Sequence, residues 1–283
     1  MSNAAAAART HAGGVLHRHA DFESQFITPR HVEVWTPPGY TPAAAPYPVL
    51  YMHDGQNLFD PAEAYIDVTW GVAEAVGQLM AAGLTAGVIV VGIWCTLERR
   101  REYMPRQPLI EPAGRRLADR FSRAYGGLPQ SDEYLRFIVE ELKPFVDEKY
   151  RTCADPSHTF VMGSSLGGLM SLYALCRYPH IFGAAACLST HWPVGGQYIV
   201  DWFGANLPRP GAHRLYFDFG TDTLDAPYAP YQQRMDQWLA QAGYTAGRDW
   251  LTRKFDGAEH SERAWRARVA EPLQFLLRAD RSS

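Results

Sequence analysis

Gly163-x-Ser165-x-Gly167 sets a hydroxyl between two positions that lack a side chain. A serine hydroxyl barely ionises at neutral pH, so it becomes a nucleophile only beside a base. The pattern fits a sharp turn from strand to helix that lifts Oγ away from a sheet. Glycines two before and two after let neighbouring backbone pass, and the helix that follows aims its first amides at developing negative charge. Ser164 is adjacent but has no glycine two residues before it. In folds that present a serine this way, the acid and then the histidine follow in chain order. His260 is the only histidine beyond His213, and it lies in the loop Asp256-Gly257-Ala258-Glu259-His260. It is the expected general base. The acid is expected in Gly220-Thr221-Asp222-Thr223-Leu224-Asp225, where Asp225 and Asp222 are both candidates. Loop reach to the histidine favours Asp225, although Asp225 could instead cap the helix after it.

Such chemistry needs elements that hold these residues together. Strand and helix signals alternate along the chain, which points to α/β with a mostly parallel sheet. Residues 31–35 alternate polar and apolar, as a half-buried strand does. Residues 49–52 form a short apolar run, and residues 88–93 are nearly all β-branched, as in a strand buried on both faces. Residues 159–162 are the strand that feeds the serine turn, and residues 169–177 the helix that leaves it. Further strands are expected at 184–188, 214–219 and 250–255. Helices are expected at 68–80, 131–149 with Ser131 as N-cap, 228–242 and 262–277. Residues 94–130 hold eight arginines (99, 100, 101, 106, 115, 116, 120 and 123) and are read as an excursion above the sheet, an insertion between strand and helix.

A tetrahedral oxyanion requires two amide donors. One is expected from Leu166, directly after the nucleophile, and the other from Gln56 in the loop His53-Asp54-Gly55-Gln56-Asn57. His53 and Asp54 in that loop, with Trp94, His191 and Trp192, are the expected substrate-binding residues, and Tyr103 is grouped with these aromatics. The arginines are read chiefly as a solvated face paired with Glu98, Glu102, Glu111 and Asp119.

Composition narrows the classes. The chain has 283 residues, 47% hydrophobic and 20% charged, with a formal net charge of −3. That balance does not suggest a nucleic-acid partner. No apolar run is long enough for a membrane span. Residues 1–14 are read as a flexible tail before one domain over 15–283. The four cysteines show no metal-type spacing, and neither a metal nor a cofactor is expected. They weakly favour a reducing, cytoplasmic setting. A homo-oligomer is left open.

Residues 48–60, PVLYMHDGQNLFD, together with GSSLGG and FGTDTLD, resemble the esterase family that includes esterase D and enterochelin-esterase-like proteins. The resemblance runs from about residue 30 to 277. It implies an α/β-hydrolase fold, with helices on both faces of the sheet, and hydrolysis of small-molecule carboxylic esters through an acyl-serine. By similarity Ser165 matches the family nucleophile, His260 its histidine and Gln56 its first oxyanion donor. Many relatives carry the acid three residues after the glycine matching Gly220; Thr223 stands there, so Asp222 and Asp225 both stay open. Some relatives are mycolyl transferases, which makes acyl transfer to a sugar or lipid acceptor the alternative activity. A third reading is a binding module that has kept the fold.

Overall fold

A computed structural model describes residues 7–43 and 45–278. Its first element departs from the expected tail. Strand β1 (Ala7–His11) pairs antiparallel with β2 (Gly14–Phe22) across Ala12 and Gly13. Both turn residues have positive φ, 47° and 76°, as a tight two-residue hairpin turn requires. Residues 7–11 and 14 are therefore strand, joined by the turn at 12–13, and residues 1–6 of the expected tail lie outside the described residues.

The other expected strands form within a residue or two of their sequence signals. They are β3 (Arg30–Thr36), β4 (Val49–His53), β5 (Ile89–Ile93), β6 (Thr159–Ser164), β7 (Ala184–Leu188), β8 (Arg214–Gly220) and β9 (Trp250–Phe255). The sheet order is β1-β2-β3-β5-β4-β6-β7-β8-β9. Pairings from β1 to β5 are antiparallel, and all those from β5 to β9 are parallel. Every parallel strand thus ends on the same edge, so the loops after His53, Ser164, Leu188, Gly220 and Phe255 share one rim. In open parallel sheets ligands bind at that rim.

Helix α1 (Val72–Ala81) follows β4. The 94–130 excursion carries three short helices, α2 (Arg99–Tyr103), α3 (Gln107–Ile110) and α4 (Arg115–Tyr125). The expected helix 131–149 contains a π turn, Phe137–Leu142, between α5 (Ser131–Arg136) and α6 (Lys143–Lys149). Ser131 is not its cap. Gln130 holds that position, and Ser131 Oγ accepts from the Arg106 N–H at 2.9 Å, tying the insertion back to the domain. The remaining helices are α7 (Leu166–Arg177), α8 (Gly196–Ala205), α9 (Ala229–Gln241), α10 (Glu262–Arg268) and α11 (Ala270–Leu277). Helix α8 carries no sequence signal that separates it from its surroundings, and Val269 divides the expected last helix in two.

The two cores follow the strand period of two. In β4, Val49 and Tyr51 join the core under α5 to α9, whereas Leu50 and Met52 join the one under α1, α10 and α11. Each fully buried aliphatic side chain contributes about 1.5–3 kcal/mol. With both faces covered, the rim is held rigidly.

Candidate active site

Ser165 stands between β6 and α7 at φ 58°, ψ −123°, a conformation that a non-glycine residue holds only when its surroundings over-determine it. Those surroundings are specific. The Ser165 N–H donates to Leu188 O at 2.9 Å, and the Ser165 carbonyl accepts from the N–H of His191 at 3.1 Å. The two flanking glycines are not equivalent. A Cβ on Gly163 would lie 2.8 Å from the Gly167 backbone and 2.9 Å from the His53 ring. A Cβ on Gly167 would meet its nearest atom at 3.4 Å, an ordinary contact. Only Gly163 is strictly required by space.

His260 and Asp225 meet at the same rim. His260 Nδ1 lies 2.6 Å from Asp225 Oδ1, with side chains 8% and 0% exposed. The backbone N–H of His260 donates to Thr223 Oγ1 at 2.8 Å. Gly220 lets this happen: a Cβ there would lie 2.0 Å from Ala258 O, so the loops after β8 and β9 are in contact. Asp222 is placed differently. Its carboxylate is exposed and caps the short turn Thr223–Asp225 by accepting from the Thr223 N–H at 2.8 Å. Of the two acid candidates, Asp225 alone is brought to the histidine.

A buried network stands behind that carboxylate. Asp225 Oδ2 accepts from Ser189 Oγ at 2.6 Å and from the Gly220 N–H at 2.7 Å. Burial pushes the Asp225 carboxyl up, but the hydrogen bonds from His260, Ser189 and Gly220 outweigh it and hold the group below the usual carboxylate range. Ser189 Oγ in turn accepts from Trp265 Nε1 and from Arg268 Nη2, each at 3.0 Å. A hydroxyl has one proton and two acceptor sites, and both partners are donors only. The Ser189 proton is therefore directed to Asp225. Arg268 also pairs with Asp218 at 2.9 Å, both side chains nearly inaccessible. Sequence reading missed Trp265 and Arg268, since nothing in their types or spacing links them to a site.

The expected oxyanion donors lie on adjoining segments. Gln56 sits in the turn Gly55–Asn57 after β4, and Leu166 is the first residue of α7. Among the described residues, the N–H of neither donates to an acceptor. Gly55 has a packing reason: its Cβ would lie 2.5 Å from the Gly92 backbone.

The substrate-binding expectations divide. His191 is at the site: its ring centroid lies 6.5 Å from that of His260, and Nδ1 is 2.6 Å from Tyr228 Oη. Burial first, then the charges of His260 and Arg99, lower its pKa to about 4, so it is neutral at pH 7. The side chains of the other four are engaged by protein groups. Trp192 is 1% exposed and packs between Phe203 and Phe217, its Nε1 donating to Gln232; it is core because the turn after β7 points it back under the sheet rim. Trp94 extends the β3–β5 ladder, stacks on Arg18 at 4.9 Å and donates to Glu33, on the antiparallel side of the sheet. His53 is 2% exposed and packs beneath the serine turn, with Nδ1 2.9 Å from Tyr134 Oη. The Asp54 carboxylate is taken up by Arg99, with Nε and Nη2 at 2.6 and 2.7 Å. Tyr103 is also buried rather than lining a pocket. The insertion's arginines pair only partly as expected. Arg101 meets Glu98, but Glu102 pairs with Arg30 and Arg106 with Glu133.

Comparison with known proteins agrees with this architecture. The family model described as "Putative esterase" matches residues 24–276. The uncharacterized protein YbbA of Bacillus subtilis (strain 168) is 23% identical over 261 residues, covering 90% of this chain and 95% of that protein. Ferri-bacillibactin esterase BesA of the same organism is 29% identical over 160 residues, and the match spans 55% of this chain and 52% of BesA, about half of each. Among solved structures, a ferulic acid esterase superposes with a TM-score of 0.65 at 19% identity, covering 93% of this chain and 97% of its own. An IroE-like serine hydrolase from Shewanella oneidensis gives 0.68 at 19% identity, covering 93% and 79%. The shared fold is the α/β-hydrolase type, a mostly parallel sheet with helices on both faces.

Proposed function

The chain belongs to the putative esterase family and is an ester hydrolase, and on that premise we propose that it cleaves carboxylic esters through an acyl-Ser165 intermediate. Ser165 Oγ attacks the ester carbonyl while His260 Nε2 takes its proton. The resulting oxyanion is stabilised by the amides of Gln56 and Leu166. His260 then gives the proton to the departing alkoxide, and the acyl-enzyme forms. Water, deprotonated by the same imidazole, attacks the acyl carbon, and as the bond to Ser165 Oγ breaks the imidazolium returns the proton to Oγ, releasing the acid and the free serine. Asp225 orients the ring and stabilises the imidazolium without taking its proton.

The observation that carries this reading is the 2.6 Å contact between His260 Nδ1 and Asp225 Oδ1. It commits one ring nitrogen to the carboxylate and leaves Nε2 for the serine. His191 supports it by touching both parts of the site, through its N–H to Ser165 O and its ring beside His260.

The test is a pre-steady-state burst of p-nitrophenol from p-nitrophenyl acetate, followed by a screen that starts from ferulic acid esters and ferri-bacillibactin, the esters for which its relatives are named. Ser165→Ala is expected to abolish the burst and labelling by a fluorophosphonate. A burst that survives in that variant overturns the acyl-serine mechanism.

A further inference from the structure

The insertion after β5 is where substrate selection is expected, yet its first helix turns inward. Arg99 and Tyr103 are four residues apart in α2 and so project from one side of it. Both end on Asp54. The Arg99 guanidinium makes two parallel hydrogen bonds to the Asp54 carboxylate, at 2.6 and 2.7 Å, a fork that fixes the plane of the acceptor. Tyr103 Oη accepts from the Asp54 backbone N–H at 3.1 Å. The guanidinium also lies 5.0 Å from the centroid of the Tyr103 ring.

Asp54 needs this support. It is left-handed, at φ 57° and ψ 48°, and its carbonyl closes the turn by accepting from the Asn57 N–H at 2.9 Å. The backbone direction at residue 54 therefore sets where the amide of Gln56 points. A second tie acts on Gln56 itself. Its Oε1 accepts from the Cys95 N–H at 3.2 Å, and its Nε2 donates to Cys95 Sγ at 2.9 Å. The helix is anchored in turn, because Glu102 forms a buried pair with Arg30, each side chain 1% exposed.

We propose that α2 is the frame of the oxyanion site, with Arg99 and Tyr103 as positioning residues that aim the Gln56 N–H at the reacting carbonyl. The inference rests on the reading of Ser165 as nucleophile and Gln56 as a donor. It places a determinant of turnover in the insertion, in a fully buried tyrosine and in an arginine that spends Nε and Nη2 on the Asp54 carboxylate.

A donor that is mis-aimed weakens the transition state and leaves ground-state binding alone. Loss of one oxyanion donor lowers kcat by about 10²–10³-fold, so partial misplacement is expected to lower it by roughly 10-fold. Tyr103→Phe removes the acceptor for the Asp54 N–H and keeps the ring. Arg99→Lys keeps the charge and loses the fork. Both variants are assayed on p-nitrophenyl acetate with enzyme concentration set by fluorophosphonate titration, so that only folded sites are counted. The expected result is a roughly 10-fold fall in kcat, KM within about twofold of the parent, and affinity for phenylboronic acid reduced by the same factor as kcat. A rise in KM with kcat and boronate affinity unchanged would mean contact with substrate and overturns the proposal. So would a loss of thermal stability with kcat per titrated site intact. If Tyr103→Phe does not fold, Arg99→Lys decides alone. If Ser165→Ala remains active, the nucleophile reading fails. If it is inert while both frame variants turn over normally, the frame alone fails.

Discussion

Replacing Ser189 by alanine tests whether the buried hydroxyl behind Asp225 has a fixed direction. In the parent its proton goes to Asp225 Oδ2, because Trp265 and Arg268 fill both of its acceptor sites. Two terms follow from its removal. The carboxylate loses a charge-assisted hydrogen bond, which costs about 1.5–3 kcal/mol. The Trp265 N–H loses its acceptor at a 4%-exposed position, which costs about a further 1–3 kcal/mol. Arg268 Nη2 keeps Asp218 Oδ1 at 2.9 Å and adds little. The expected loss is roughly 3–5 kcal/mol of a total that for most domains is about 5–15; urea unfolding at pH 7 measures it. Activity responds with a definite sign. The hydroxyl stabilises the ionised Asp225, so its loss raises the proton affinity of that carboxylate. The acid limb of kcat/KM is expected to move up, but only in part, because Gly220 still donates to the carboxylate. An acid limb that stays in place or moves down, with the stability loss present, would show that the hydroxyl does not serve Asp225.

Asp222 and Asp225 should separate cleanly. Asp225→Asn is expected to lower kcat by about 10⁴-fold, whereas Asp222→Ala removes only a turn cap, costs about 1 kcal/mol and leaves kcat within about twofold; steady-state kinetics on one ester decides between them. Trp192→Ala should destabilise by about 3–5 kcal/mol as a core truncation, while Trp192→Phe should leave KM within about twofold, and a large KM change for Phe would return Trp192 to the pocket. His19 is buried against Tyr150, and burial first, then Lys149, lowers its pKa to about 4. Its folded value lies below its unfolded value of about 6.5, so its stabilising contribution is complete above that pH and is lost as pH falls toward 4. His19→Gln should flatten the decline in unfolding free energy between pH 6.5 and 4 by roughly 1–2 kcal/mol, and an unchanged slope would show that His19 is not the group responsible.

What the sequence determined was whatever depends on neighbours in the chain. The β-branched run at 88–93 is the pattern of a strand buried on both faces, and the alternation of strands with helices points to parallel neighbours whose loops share one rim. Gly163-x-Ser165-x-Gly167 between an apolar strand and a helix marks the turn because the required backbone is local. His260 was legible because chain order left no other histidine in the final loop. The hairpin at 7–22 was not legible, since its partner strand supplies the burial that its own pattern lacks.

Tertiary structure decided which groups meet. Asp222 and Asp225 are three residues apart and chemically identical, and the difference lies in the contact between Gly220 and Ala258, which swings one of them toward the histidine. His53, Asp54, Trp94 and Trp192 carry the side chains of a binding pocket, yet Tyr134, Arg99, Arg18 and Phe203 reach them first. Ser189 and Arg268 are 79 residues apart. A residue type states what a side chain can bond to, but the choice among partners is made by packing, and packing joins positions that the sequence keeps far apart.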